Sequence, residues 1–232
     1  MFDPILMVIT LVFMGIGLLV SNRLKQKFTK YSQKNLSSGL SGKDVAEKML
    51  RDNGIMDVKI TSVEGKLTDH YNPLTKTINL SHDVYEGRNV ASAAVAAHEC
   101  GHAVQHAFAY SWLQMRSALV PVVNISAKAM NFIFIASIFL AFSYQLFNQM
   151  LVLIIICQGM VTVFSLITLP VEIDASKRAL VWLNTSNITR GTEHEQAKDA
   201  LNWAAKTYLV AALASLANLL YFIMLLMGRR RD

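Results

Sequence analysis

Four long apolar runs constrain this chain more than any other feature of it. They cover about residues 4–20, 129–141 (extendable to 147), 150–169 and 207–227. A helix needs about 20 apolar residues to cross about 30 Å of hydrocarbon, so each run is read as a membrane span. Only 16% of the 232 residues are charged, against about 25% in an ordinary globular domain. That deficit is concentrated in the runs. The expected fold is a mainly α integral membrane protein with about four apolar helices, and enough chain remains for one small α+β domain.

The runs divide the sequence into five parts: an N-terminal membrane anchor (1–20), a segment 21–128, a transmembrane hairpin (129–169), a helical segment 170–206, and a C-terminal apolar helix with a basic tail (207–232). A cleaved signal peptide is the rival reading of the first part. No basic residue precedes Pro4 and no small-x-small site precedes Ser21, which favours an uncleaved anchor. Residues 143–149 carry no charge and join the second and third runs as a hairpin. Arg23, Lys25, Lys27, Lys30 and Lys34 follow the first run directly. The positive-inside rule then puts the amino terminus outside and 21–128 in the cytoplasm. The hairpin returns the chain inside at Val171, and Lys177, Arg178, Arg190, Lys198 and Lys206 agree. A fully spanning fourth run would leave Arg229, Arg230 and Arg231 outside, whereas one lying partly against the protein would not. Both arrangements stay open. The net charge of +6 is thus topological. The expected partner is the lipid bilayer, and nucleic acid is not expected, since no stacking aromatics accompany the basic residues.

His98-Glu99-Cys100-Gly101-His102 carries the chemistry. It fits H-E-x-x-H and lies in an Ala-rich run that reads as helix from about 89 to 110. Residues four apart share a helical face, about 6 Å apart along the axis, so both imidazoles can reach one Zn²⁺. Glu99 falls beside that face, where it can take a proton from the attacking water. Ala96, Ala97, Gly101 and Ala103 are small and let another segment approach. Cys100 could add a thiolate, but it lies two residues from each His and points to the opposite face. Cys157 sits in an apolar run, so neither cysteine suggests a disulfide.

A catalytic zinc needs three protein ligands and an open position. His106 lies about 9 Å along the axis from a metal between His98 and His102, too far for an imidazole. The metzincin pattern fails as well, with Gln105 and Phe108 where it wants Gly and His. The better source is Leu169-Pro170-Val171-Glu172-Ile173-Asp174-Ala175-Ser176, which puts two carboxylates straight after a span. An acid at a membrane edge is costly unless paired or metal-bound. The expectation is Glu172 as third ligand and Asp174 orienting a His through its free ring N–H; the reverse assignment is the alternative. Pro170 suits the first turn of a helix or a kink that restarts one.

Ahead of the motif, Ser41-Gly42-Lys43-Asp44 opens a helix with a capping-box pattern, and Asn53-Gly54 ends it. Residues 58–61 read as a strand. Residues 67–71 and 76–80 read as a hairpin around Asn72-Pro73-Leu74-Thr75. Two readings of the strand ending near Ser81 stay open: an edge strand placed to pair with an extended peptide, as in gluzincin-like peptidases, or part of a hairpin that only packs on the helix.

Three stretches together, 96–106, Leu67-Thr68-Asp69-His70-Tyr71-Asn72-Pro73 and 169–176, resemble the bacterial YugP-type neutral zinc metallopeptidases over nearly the whole chain. More distantly the chain is similar to HtpX-type and CAAX-prenyl-protease membrane peptidases. Their third ligand is a Glu after a membrane hairpin, which the resemblance carries to Glu172. Those relatives follow their Glu with an Ala-Asp pair; this chain has Ala175-Ser176, so the resemblance assigns position 176 no role. It implies peptidase activity and a membrane location; the ligand spacing adds one Zn²⁺ per chain in a zincin-like domain around the H-E-x-x-H helix, and the basic residues put that domain on the cytoplasmic side. Substrates would be peptides or membrane proteins; neither the substrate nor the oligomeric state is set by the sequence. Donors for the oxyanion are sought in His70 and Tyr71, and also in His82, Arg116 and His194. Two other readings are an intramembrane zinc protease and a non-enzymatic membrane adaptor with a structural zinc.

Overall fold

A computed structural model describes residues 3–140 and 144–229. It is mostly helical: α1 (Pro4–Ser32), α2 (Gly42–Asp52), β1 (Lys59–Val63), β2 (His70–Asn72), β3 (Thr77–Ser81), α3 (His82–Tyr85), α4 (Val90–Ala107), α5 (Ser111–Leu140), α6 (Tyr144–Thr185) and α7 (Thr192–Arg229). The chain forms two compact units. One comprises 1–18, 114–169 and 208–232, and the other 19–113 and 170–207.

Among the described residues, three helices are long and apolar enough to cross a membrane: Pro4–Ser32, Asn148–Thr185 and Thr192–Gly228. The expected second span begins within α5, and 141–143 lie outside the described residues. The expected span ends differ from the helix ends. Residues 144–149, expected as a connection, are already helical, and α6 runs through Pro170 to Thr185. α7 starts at Thr192, well before the apolar run at 207. The reason is general: a helix need not stop where its apolar surface stops. An interior Pro costs one backbone bond and some bending, which a long helix tolerates when its flanks are well packed.

In the first unit, Ile5, Met7, Val8, Leu11 and Val12 of α1 are exposed, as expected of a segment whose solvent is lipid. α6 and α7 are joined there by polar bonds. Gln158 Nε2 donates to the Ser215 carbonyl at 3.0 Å, and Thr162 Oγ1 donates to it at 3.1 Å. With no water to compete, such bonds serve as interhelical glue.

The second unit holds the hydrophobic core. Val45, Ala46, Met49 and Leu50 form the apolar stripe of α2 and pack on α4. The capping box is present: Ser41 Oγ accepts from Asp44 N–H, and the Asp44 carboxylate accepts from Ser41 N–H. That backbone bond, first among its contacts, holds Asp44 below the usual carboxylate range. α4 starts at the N-cap Asn89, whose side chain accepts from Ser92 N–H. Ile78 and Leu80 of β3 are fully buried against this core, as are Ala179 and Leu183 of α6 and Ala197 and Ala200 of α7.

The sheet order is β1-β3-β2. β2 and β3 form the expected antiparallel hairpin, and β1 pairs parallel to β3. The strand ending at Ser81 is therefore central, paired on both sides, and the edge reading of it is overturned. The margin strand that meets α4 is β2, and β3 packs on α4 beside it. Alternation along a strand predicts which face is buried, but not which strand lies at the margin.

α4 and α6 come backbone to backbone at Gly101. A Cβ placed there would lie 2.5 Å from the Ala175 carbonyl oxygen. Gly101→Ala should therefore lower stability by about 1–3 kcal/mol, the usual range for overpacking. Gly159→Ala, with nothing within 4 Å of the added carbon, should be neutral or stabilising. Chemical denaturation in detergent micelles compares the two.

Candidate metal centre

α4 is almost wholly buried because its residues are small, and that leaves its polar residues inside the fold. His98 and His102 lie on one face, one turn apart, with ring centroids 4.8 Å apart and near-perpendicular planes. Opposite them α6 presents Glu172, only 2% exposed. Its Oε2 lies 3.3 Å from His98 Nε2 and 3.5 Å from His102 Nε2. One donor atom from each of the three residues falls within 4.8 Å of the others, and among the described residues this is the one such group.

The far side of each ring is also held. His98 Nδ1 lies 3.1 Å from Ser176 Oγ, and His102 Nδ1 lies 3.0 Å from Gln105 Oε1. Gln105 Nε2 donates to the Val171 carbonyl and to Asp174 Oδ2, each at 2.8 Å. Arg178 Nε donates to the same Asp174 oxygen at 2.6 Å, and its guanidinium stands over the Tyr110 ring. Each Nε2 is thereby turned toward Glu172. Two imidazole nitrogens and a carboxylate oxygen, buried and converging on one point, suit a divalent cation of the zinc type. Burial, the largest single influence, works against a proton on His102, but Glu172, Glu99 and Gln105 together outweigh it and hold the ring above its ordinary pKa. A cation held at that point would take the place of the proton.

Glu99 is also buried, and its Oε2 accepts the main-chain N–H of Tyr71 at 2.9 Å. The edge strand β2 thus fixes the carboxylate one residue past the first His. Tyr71 Oη pairs with His106 Nδ1 at 2.7 Å, so His106 serves the strand and is absent from the ligand group. Burial pushes the Tyr71 phenol up, which keeps its proton available for donation. His70 is exposed on β2, with its ring engaged by the Thr68 carbonyl and Asn79 Nδ2. His82 is exposed at the start of α3. His194 meets Thr189 Oγ1 at 3.2 Å and lines a cavity of about 500 Å³ with Ser176, Lys177 and Lys198. Arg116 belongs to the other unit.

Asp174 acts at one remove: it meets Gln105, and Gln105 meets His102. The direct partners of the two rings are Gln105 and Ser176, and neither was assigned a role from the sequence. Their signals were faint. Gln105 is a polar residue three past His102 in a helix of small apolar residues. Ser176 shares a face with Glu172. Cys100 points away from the site, with Sγ 3.6 Å from the Ala46 carbonyl. Burial raises its pKa well above the usual thiol value, so it stays a thiol.

A family model described as "Putative neutral zinc metallopeptidase" matches residues 6–227. The chain is 36% identical over 224 residues to the "Putative membrane protease YugP" of Bacillus subtilis (strain 168), covering 97% of this chain and 97% of that protein. No solved structure matches.

A thiol that faces α2 predicts that Cys100→Ala keeps the full metal content of the wild type, measured by elemental analysis of the purified chain. A fall in content would return Cys100 to the ligand set.

Proposed function

Because this chain belongs to that zinc metallopeptidase family, we propose that it is a membrane-anchored zinc metalloendopeptidase of the H-E-x-x-H type. One Zn²⁺ per chain is held by His98, His102 and Glu172. Bound there, zinc supplies Lewis-acid chemistry, polarising a scissile carbonyl and acidifying water. Glu99 is the general base that takes the proton of the attacking water and later passes it to the leaving amine. The Tyr71 N–H orients that carboxylate, and Gln105 with Asp174, and Ser176, hold the two rings. The observation that carries the reading is the convergence of two imidazoles of α4 with a carboxylate of α6, each ring supported from behind. Three protein donors leave a position open, as catalysis needs and a closed structural site does not. This favours an enzyme over an adaptor.

The substrate is a peptide or membrane-protein segment, taken up beside β2, the edge strand next to α4, whose Tyr71 N–H is already given to Glu99. Tyr71, whose phenol keeps its proton, is the favoured oxyanion donor over the exposed His70. The basic residues that follow the first apolar run support a site facing the cytoplasm.

Glu172→Ala should lose zinc. Glu99→Gln should keep zinc and lose about 10²–10⁴-fold in peptide hydrolysis, the usual range for a general base. Equal hydrolysis by Glu99→Gln would remove Glu99 from that role. For sidedness, Lys66→Cys is suitable because the Lys66 side chain is 88% exposed. An impermeant maleimide should label it in inverted vesicles and spare it in intact cells; the opposite pattern would reverse the topology.

A further inference from the structure

We infer that Gln105 is a positioning residue that fixes the proton on the His102 ring and at the same time fixes the backbone of α6 beside Glu172. The inference rests on the zinc reading above and deepens it. Gln105 is fully buried. An amide nitrogen carries two N–H groups and accepts nothing; an amide oxygen only accepts. Gln105 Nε2 lies 2.8 Å from the Val171 carbonyl and 2.8 Å from Asp174 Oδ2. The carbonyl cannot donate, and the Asp174 oxygen already receives Arg178 Nε–H at 2.6 Å. The nitrogen must therefore face these two acceptors, and the amide has only one orientation.

That orientation turns Oε1 toward His102 Nδ1 at 3.0 Å. An acceptor there requires Nδ1 to carry the proton, which leaves the Nε2 lone pair directed at the ligand group. The tautomer that a metal needs is thus set by the amide and does not depend on the metal. Ser176 does not do this for His98, because a hydroxyl can donate or accept. The second bond has a separate effect. Val171 immediately precedes Glu172 in α6, so the amide that aligns one ligand also grips the main chain that carries another. Two ligands from helices far apart in sequence are tied by one side chain that is not itself a ligand.

The test uses the full chain in detergent, titrated with Zn²⁺ against a chelator of known affinity and with Co²⁺ followed by its visible absorption. Gln105→Met keeps the volume and removes every polar bond. Gln105→Asn keeps an amide but falls one methylene short of spanning His102 and Val171. Both should lower zinc affinity by about 10–100-fold, the range for partners that orient metal ligands, and both should alter the Co²⁺ spectrum. Thermal unfolding of the metal-free chain is recorded alongside. A merely structural amide would shift that unfolding and leave affinity and spectrum of the folded protein unchanged, which overturns the inference alone. Should Gln105→Met fail to fold, Gln105→Asn decides by the same two readouts. If the wild-type chain binds neither metal, the zinc reading falls and takes this inference with it.

Discussion

The contact between α4 and α6 at Gly101 and Ala175 governs the rest of the site. Backbone meets backbone there, with no room for a methyl group. Helices usually pack with axes about 8–10 Å apart because side chains intervene. Removing the side chain at the crossing lets the short Glu172 carboxylate reach two imidazoles on the facing helix. The surrounding Ala96, Ala97, Ala103 and Ala175 extend the same logic, since all are fully or nearly fully buried. The price is that α4 contributes little apolar bulk of its own, and the larger side chains of α2 and β3 supply it.

Electrostatics follows from that packing. A carboxylate 2% exposed is costly in a protein interior unless a positive charge or a metal neutralises it. The two rings supply that environment, and their orientation is settled on the far side by hydrogen bonds to Ser176 and Gln105. The Asp174–Arg178 pair lies beyond Gln105, so its charges act on His102 through a neutral amide. The ring partners nearest the ligand group are thus uncharged oxygens.

How much of this was legible in the sequence depends on whether the information is local. His98, Glu99 and His102 lie within two helical turns, so spacing alone puts them together. Ser41 and Asp44 are three residues apart, and their capping box was legible for the same reason. Glu172 could be read only as an acid in an unusual place, immediately after an apolar run. Gln105 and Ser176 could not be read, because each acquires its role from the helix crossing and from no pattern within its own helix. Strand order escaped for a related reason: the hairpin 70–81 is local, but the parallel pairing of β1 with β3 is not. The span limits blurred at Pro170 and at Thr192 because helix and hydrophobicity end at different places along the chain.

The bond between Glu99 and β2 is made by a main-chain amide. Every amino acid but one offers that group, so the carboxylate tolerates almost any side chain at position 71 and forbids only an imino acid. Alanine scanning along the strand would pass over the contact without registering it. A residue can therefore be indispensable here through the part of it that the genetic code barely varies.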